Sequence, residues 1–229
     1  MECVEFDQVV LGGGSAGYAA ARVLADGGQR VAVVDGSAEL GGLCILRGCM
    51  PTKALLQSAE VAHAVQSSAL FGIQTTFNGV DFDQVMRRKG WLIDDFAGYR
   101  REQLTSGERF QLFRSPGRFV DAHTVELDSG QRLSAQGFVI ATGSKISDAP
   151  LASLATVGYL DSDDVLRLER LPESILVLGG GVIAVEFAQF FVRMGVRVTL
   201  IQRSAQLLKE VDEDAAQVLA QVLEREGVE

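Results

Sequence analysis

Cys44 and Cys49 are separated by four residues in the stretch GGLCILRGCMPTK, residues 41–53. Thiols this close can staple a fold, hold a metal, or store electrons by opening and closing an S–S bond. As a staple the pair is weak, since closing a six-residue loop removes only roughly 2 kcal/mol of chain entropy. A zinc site needs two further N or S ligands, and the remaining Cys3, His63 and His123 have no paired spacing. Exchange chemistry needs one accessible sulfur to attack and a second to resolve the mixed disulfide, which a short C-x4-C arc provides. A two-electron store is therefore the expectation, with a purely structural disulfide as the alternative. Pro51 follows closely and suits the first turn of a helix, where its missing N–H has no helical partner. Cys49 then sits at that helix's N-terminus, where the dipole favours a thiolate by at most about 1.5 pKa units. Holding a thiolate at neutral pH needs further help, such as a nearby cation.

The elements that position such a pair are legible as an internal echo. Residues 6–36 and 174–204 each carry an apolar strand-like run, three glycines, a helical stretch and a second short apolar run. Gly12, Gly14 and Gly17 fit G-x-G-x-x-G, and Gly179, Gly181 and Ala184 fit G-x-G-x-x-A. Such glycines allow a tight turn and close backbone approach to a pyrophosphate, which the uncapped helix N-terminus then binds. Glycine-rich turns without a ligand are the bland alternative. Asp35 and Gln202 each follow the first glycine of their motif by 23 positions. Asp35 can accept hydrogen bonds from an adenosine ribose, which suits FAD or NAD. Gln202 does not repel a 2′-phosphate and Arg203 can pair with one, which favours NADPH over NADH.

At 229 residues, 47% hydrophobic and 22% charged, the chain can build real cores. A net charge of −9 argues against a nucleic-acid partner. No stretch reads as a membrane span or an export leader, and a reducing, cytoplasmic setting is expected.

The cysteine segment between two dinucleotide turns resembles the flavoprotein disulfide reductases, the family of glutathione, lipoamide and mercuric reductases. That family commonly reads G-G-T-C-x-N-x-G-C-x-P-[ST]-K here; Gly41, Gly42, Cys44, Gly48, Cys49, Pro51, Thr52 and Lys53 match. Leu43 and Leu46 stand where Thr and Asn are usual, each losing a hydrogen bond worth about 0.5–1.5 kcal/mol. The resemblance implies an α/β fold with two Rossmann-like doubly wound dinucleotide-binding domains and a small antiparallel insertion. It implies FAD and NADPH or NADH as cofactors, and a disulfide or metal-ion acceptor. Cys49 becomes the thiol against the flavin, Cys44 the interchange thiol, and Lys53 the neighbour of the flavin's reactive nitrogen. Glu186 matches a glutamate that contacts nicotinamide and Lys53.

The same resemblance implies cofactor contacts from Ser15 and Ala16 beside Gly12, Gly14 and Gly17, and from Gly42 and Leu43 beside Cys44 and Cys49. Gly117–Arg118 resembles the loop under the adenine, and Ala141, Thr142 and Gly143 the A-T-G motif closing a strand near the flavin. Around Gly181 the contacts are Val182 and Ile183. Val182 stands where glutathione reductase has a gating Tyr, so lipoamide- or mercuric-type activity is favoured over glutathione reduction. Residues 51–67 and 81–104 read as helices, and RFVDAHTVEL and RLSAQGFVI as strands about a turn at Asp128–Gly130, with His123 in a turn. Residues 145–171 read as a connection. The expected division is 1–148 for the flavin domain and 149–229 for a nicotinamide domain that is incomplete. The chain is expected to be the N-terminal part of a longer homodimeric enzyme. A catalytically silent flavin-binding module is the alternative.

Overall fold

A strand covered on both faces must be apolar at every position, and VAVV at residues 31–34 meets that demand. The computed structural model describes residues 3–147 and 151–229. In chain order β1 (Cys3–Leu11), α1 (Ser15–Asp26) and β2 (Val31–Val34) are followed by α2 (Gly42–Leu46), α3 (Cys49–Ser67) and α4 (Phe82–Thr105). Then come β3 (Gln111–Phe113), β4 (Gly117–Asp121), β5 (Thr124–Leu127) and β6 (Arg132–Ile140). The short helices α5 (Leu154–Val157) and α6 (Ser162–Val165) precede β7 (Ser174–Leu178), α7 (Val182–Arg193), β8 (Arg197–Ile201) and α8 (Glu213–Glu226). The chain divides into one unit of Met1–Met50 with Leu92–Asp161 and another of Pro51–Trp91 with Ser162–Glu229. The segment Pro51–Trp91, assigned by linear reading to the first 148 residues, thus belongs to the second unit. The expected boundary at 148–149 lies outside the described residues.

The first unit is built on a six-stranded sheet ordered β3-β2-β1-β6-β5-β4. The strands β3, β2, β1 and β6 run parallel, while β5 and β4 add an antiparallel edge. Val31 and Val33 join Val10, Tyr18, Ala21 and Leu104 in a core beneath α1 and α4. Their neighbours Ala32 and Val34 face the other way, into a core with Val9, Val125, Leu127 and Leu133. The antiparallel insertion therefore supplies the second covering layer. Its turn closes where Gly130 N–H donates to Leu127 O at 2.8 Å. His123 lies in the other turn, its N–H on Asp121 Oδ1 at 2.7 Å.

In the second unit β7 and β8 pair in parallel, Ile175 opposite Val198. α7 buries Val185, Ala188, Phe190 and Phe191 in a core with Leu55 and Ala59 of α3 and Leu223 of α8. Arg193, at the end of α7, grips Glu226 of α8 through Nη2–Oε1 at 2.6 Å and Nε–Oε2 at 2.8 Å. Gln189 donates to both oxygens of that carboxylate at 3.3 Å, and Glu60 of α3 pairs with the outer face of Arg193. Among the described residues no helix is long and apolar enough to cross a membrane.

Candidate functional site

The first glycine turn is shaped by what presses on it. Gly12 has φ +103° and its absent Cβ would lie 2.3 Å from Ala141 O, so the A-T-G segment rests directly on the turn. Ala141 N–H donates to Leu11 O at 2.8 Å, which carries Thr142 and Gly143 to the end of β1. A Cβ on Gly17 would lie 1.8 Å from Gly12 O, so α1 starts in contact with the turn. Asp35 is 7% exposed and accepts the Gly13 N–H at 2.7 Å through Oδ2. Its Oδ1 accepts the Ser37 N–H at 2.9 Å and the Ser37 hydroxyl, with Arg114 Nη1 at 3.5 Å. Its carboxylate thus first serves the chain's own turn, and a lone pair on Oδ2 remains for a ribose hydroxyl.

The cysteines are brought to this turn by backbone contact. Gly42 has φ +76°, and a Cβ there would sit 2.4 Å from Gly14 Cα. α2 therefore begins flush against α1, with the Ser15 side chain near enough to Cys44 to act on its thiol. Cys49 opens α3. The helix thus begins two residues before Pro51, and Cys49 takes the N-terminal position the dipole argument requires. Both cysteines are free thiols, Cys44 half-buried and Cys49 exposed. Burial, together with the neighbouring Cys49, pushes the Cys44 thiol above its ordinary 9.0, and Ser15 only partly opposes this.

The second turn repeats the first in its side-chain support. Where Asp35 lies under Gly13, Gln202 lies under Gly180, its carboxamide carbon 2.9 Å from where a Cβ would be. Gln202 Oε1 accepts the Arg203 N–H at 3.1 Å, and its Nε2 donates to Gln206 O at 3.2 Å. The Arg203 side chain is exposed and enters no ion pair among the described residues. Gly179 holds φ +115°. A Cβ on Gly181 would meet nothing within 4 Å, so the chain's own packing leaves that approach open. Val182 and Ile183 beside it are about 60% exposed (62% and 59%). Lys53 of α3 and Glu186 of α7 form an ion pair, at 58% and 24% side-chain exposure.

Gly117 and Arg118 stand at the start of β4, where the strand reading of RFVDAHTVEL put Arg118. They open β4 rather than lie in a loop, because β4 passes close enough to β2 that a Cβ on Gly117 would sit 3.0 Å from the Val34 side chain. Arg118 pairs with Glu126 of β5 at 2.5 Å, and Arg132 reaches the same carboxylate at 3.0 Å. Those hydrogen bonds from Arg132 and Arg118 hold Glu126 below the usual carboxylate range.

The residues present fit two dinucleotides. Gly14 and Gly181 cap α1 and α7 with no side-chain hydrogen bond and no acid in the first turn, leaving N–H groups and the positive dipole end for phosphate. Sequence reasoning did not find the influence of Ser15 on the Cys44 thiol, nor Arg114, whose Nη2 donates to Ser37 O at 2.6 Å and braces the loop after Asp35. Neither leaves a periodic or motif signal, since both depend on distant segments meeting.

Residues 6–229 match the profile of the pyridine nucleotide-disulphide oxidoreductases. The chain is 32% identical to a mercuric reductase of Lysinibacillus sphaericus, over 97% of this chain and 40% of the relative. It is 33% identical to a dihydrolipoyl dehydrogenase of Bacillus subtilis, over 98% of this chain and 50% of the relative. The fold superposes on the HOCl-induced flavoprotein disulfide reductase RclA from Escherichia coli with a TM-score of 0.80 at 29% identity, covering 97% of this chain and 48% of that one. The chain thus spans about half the length of these proteins.

Proposed function

Because the chain belongs to the pyridine nucleotide-disulphide oxidoreductase family, we propose that it passes two electrons from a nicotinamide nucleotide to the Cys44–Cys49 pair, and from there to a disulfide or metal-ion acceptor. The observation that carries this is the backbone contact of Gly42 with Gly14, which sets two free thiols, Cys44 and Cys49, at the first glycine turn. FAD, when bound, supplies the relay between nicotinamide and dithiol. Gly12, Gly14, Ser15, Ala16 and Gly17 would hold its phosphates, Asp35 its ribose, and Ala141, Thr142 and Gly143 the far side of the turn. In this reading Cys44 is the attacking sulfur, as the family resemblance implies, and Cys49 resolves the mixed disulfide. Residues 1–148 carry the flavin role and 149–229 the nicotinamide role, in an enzyme acting as a homodimer. What favours a lipoamide- or mercuric-type acceptor is the identity of the relatives and Val182 at the mouth of the second turn. Loaded with FAD and started from its disulfide form, the chain is expected to release two titratable thiols on anaerobic addition of NADPH. No new thiols would sink the proposal.

Two further expectations arise from side chains of this reading. The Lys53–Glu186 pair is too exposed to stabilise the fold by more than about 1 kcal/mol. Lys53→Met should therefore leave the urea midpoint almost unchanged while slowing thiol release by NADPH; a large loss of stability with normal release would contradict it. Arg203, beside Gln202, enters no ion pair among the described residues, and one charged hydrogen bond is worth about 1.5–3 kcal/mol. Arg203→Ala should then raise the KM for NADPH at least about tenfold with little change for NADH. Equal changes for both nucleotides would remove Arg203 from the phosphate site.

A further inference from the structure

Among the described residues Leu208 is the one non-glycine residue with a positive φ, at +48°. A bulky side chain in that left-handed region is strained, and such strain persists only where the surroundings hold it. Leu208 lies in the strap of residues 203–211 between β8 and α8. At this φ its N–H and its carbonyl serve two partners at once. The N–H donates to Gly180 O at 2.8 Å, and the carbonyl accepts the Val211 N–H at 2.7 Å. Gln206 ties the strap to itself, its Nε2 donating to Val211 O at 3.0 Å. On its α8 side the strap is loosely packed: Ser204, Gln206 and Leu207 line a cavity of about 470 Å³ with Ala216 and Ala220 of α8. The carbonyl that Leu208 holds belongs to the peptide between Gly180 and Gly181. In a trans, planar peptide the C=O and the next N–H point in opposite directions. Drawing Gly180 O to Leu208 therefore aims the Gly181 N–H away from the strap. The approach to Gly181 is open, since a Cβ there would meet nothing within 4 Å. A peptide flanked by two glycines has little of its own to stop it turning over.

We propose that Leu208 is a positioning residue of the nicotinamide-nucleotide site: its left-handed backbone, rather than its side chain, fixes the Gly180–Gly181 peptide so that the Gly181 N–H faces the pyrophosphate. The inference rests on the reading of the second glycine turn as the nicotinamide site. The pyrophosphate is common to the phosphorylated and unphosphorylated nucleotides, so Leu208 acts equally on both. Arg203 differs in this respect, because its proposed partner is the 2′-phosphate that only one of them carries. The leucine side chain itself packs at the margin of the second unit's core, which gives it a separate, purely structural contribution.

Two substitutions separate backbone from side chain. Leu208→Ile keeps volume and apolarity but adds a β-branch, which the left-handed region disfavours. Leu208→Asn gives up the apolar packing yet enters that region readily. Dissociation constants of the full chain in its disulfide form are measured by calorimetry with NADP⁺ and NAD⁺, which bring no electrons, alongside urea midpoints. Leu208→Ile is expected to raise both dissociation constants about fivefold, by the same factor, with FAD content unchanged. Leu208→Asn is expected to keep the parental affinities while its urea midpoint falls. A packing role gives the reverse order, with the isomeric Ile harmless and Asn damaging to both. Parental affinity in Leu208→Ile, weakened binding in Leu208→Asn, or an effect confined to NADP⁺ overturns the positioning role and leaves the nucleotide site standing. Should Leu208→Ile fail to fold, Leu208→Asn decides alone: kept affinity supports the role and lost affinity overturns it. A parent chain that binds neither nucleotide sinks the nicotinamide reading, and the inference with it.

Discussion

Cys44→Ser is expected to lower disulfide turnover by roughly 10³-fold or more, because the variant lacks the sulfur that forms the mixed disulfide. Stability should barely move, since the change replaces a half-buried thiol by a hydroxyl of similar size that Ser15 can still meet. Cys49→Ser should fail differently. Cys44 still attacks, but nothing resolves the adduct, so mass spectrometry should find one half of the acceptor trapped on Cys44. The pH dependence follows from the environment of Cys44. Burial and the neighbouring Cys49 keep it protonated at neutral pH, so its alkylation rate should keep rising as pH passes its ordinary 9.0. A rate that levels off below that value, or full turnover in Cys44→Ser, would show that another group does the chemistry.

Arg193→Met should destabilise the chain by about 1–3 kcal/mol, between the values for a surface bridge and a buried one, because it leaves a partly buried carboxylate with only Gln189. The Arg193 and Glu226 side chains, 12% and 9% exposed, are partly buried, so the pair is less screened than a surface bridge. Burial by itself would raise the pKa of Glu226, but the hydrogen bonds and charge of Arg193 outweigh it and hold the carboxyl below its ordinary 4.5. A carboxylate with a depressed folded pKa stabilises fully above its unfolded value and loses that contribution as pH falls through the folded one. Urea midpoints of the parent chain should therefore drop with acidification below about 4.5. In Arg193→Met/Glu226→Gln much of the stability lost in the single variant should return, since no charge is left buried. A double variant as unstable as Arg193→Met would mean that packing of the arginine stem, not its charge, was lost.

Much of the architecture was determined locally. Runs such as VAVV and SILVL specify strands by their branched apolar residues, and the glycine triplets specify turns that only a residue without a Cβ can make, as Gly12 at φ +103° shows. The cysteine segment narrowed its chemistry for a similar reason: spacing within six residues restricts what two thiols can do, whatever the rest of the chain does. The support of Gly13 by Asp35, and of Gly180 by Gln202, was already present as a repeated 23-residue spacing.

Only the tertiary structure decided which distant side chains meet. Gly117 joined the strand that RFVDAHTVEL already suggested because β5 offered Leu127 opposite it, beside the Glu126 that pairs with Arg118. Pro51–Trp91 joined the second unit because Leu55, Ala59 and Phe82 bury against α7. The hydrogen bond from Leu208 to Gly180 is of the same kind. Local patterns follow from backbone sterics and the period of apolar residues, both properties of neighbours along the chain. Charge pairing and burial are properties of neighbours in space, and they exist only once the sheets and helices have closed on one another.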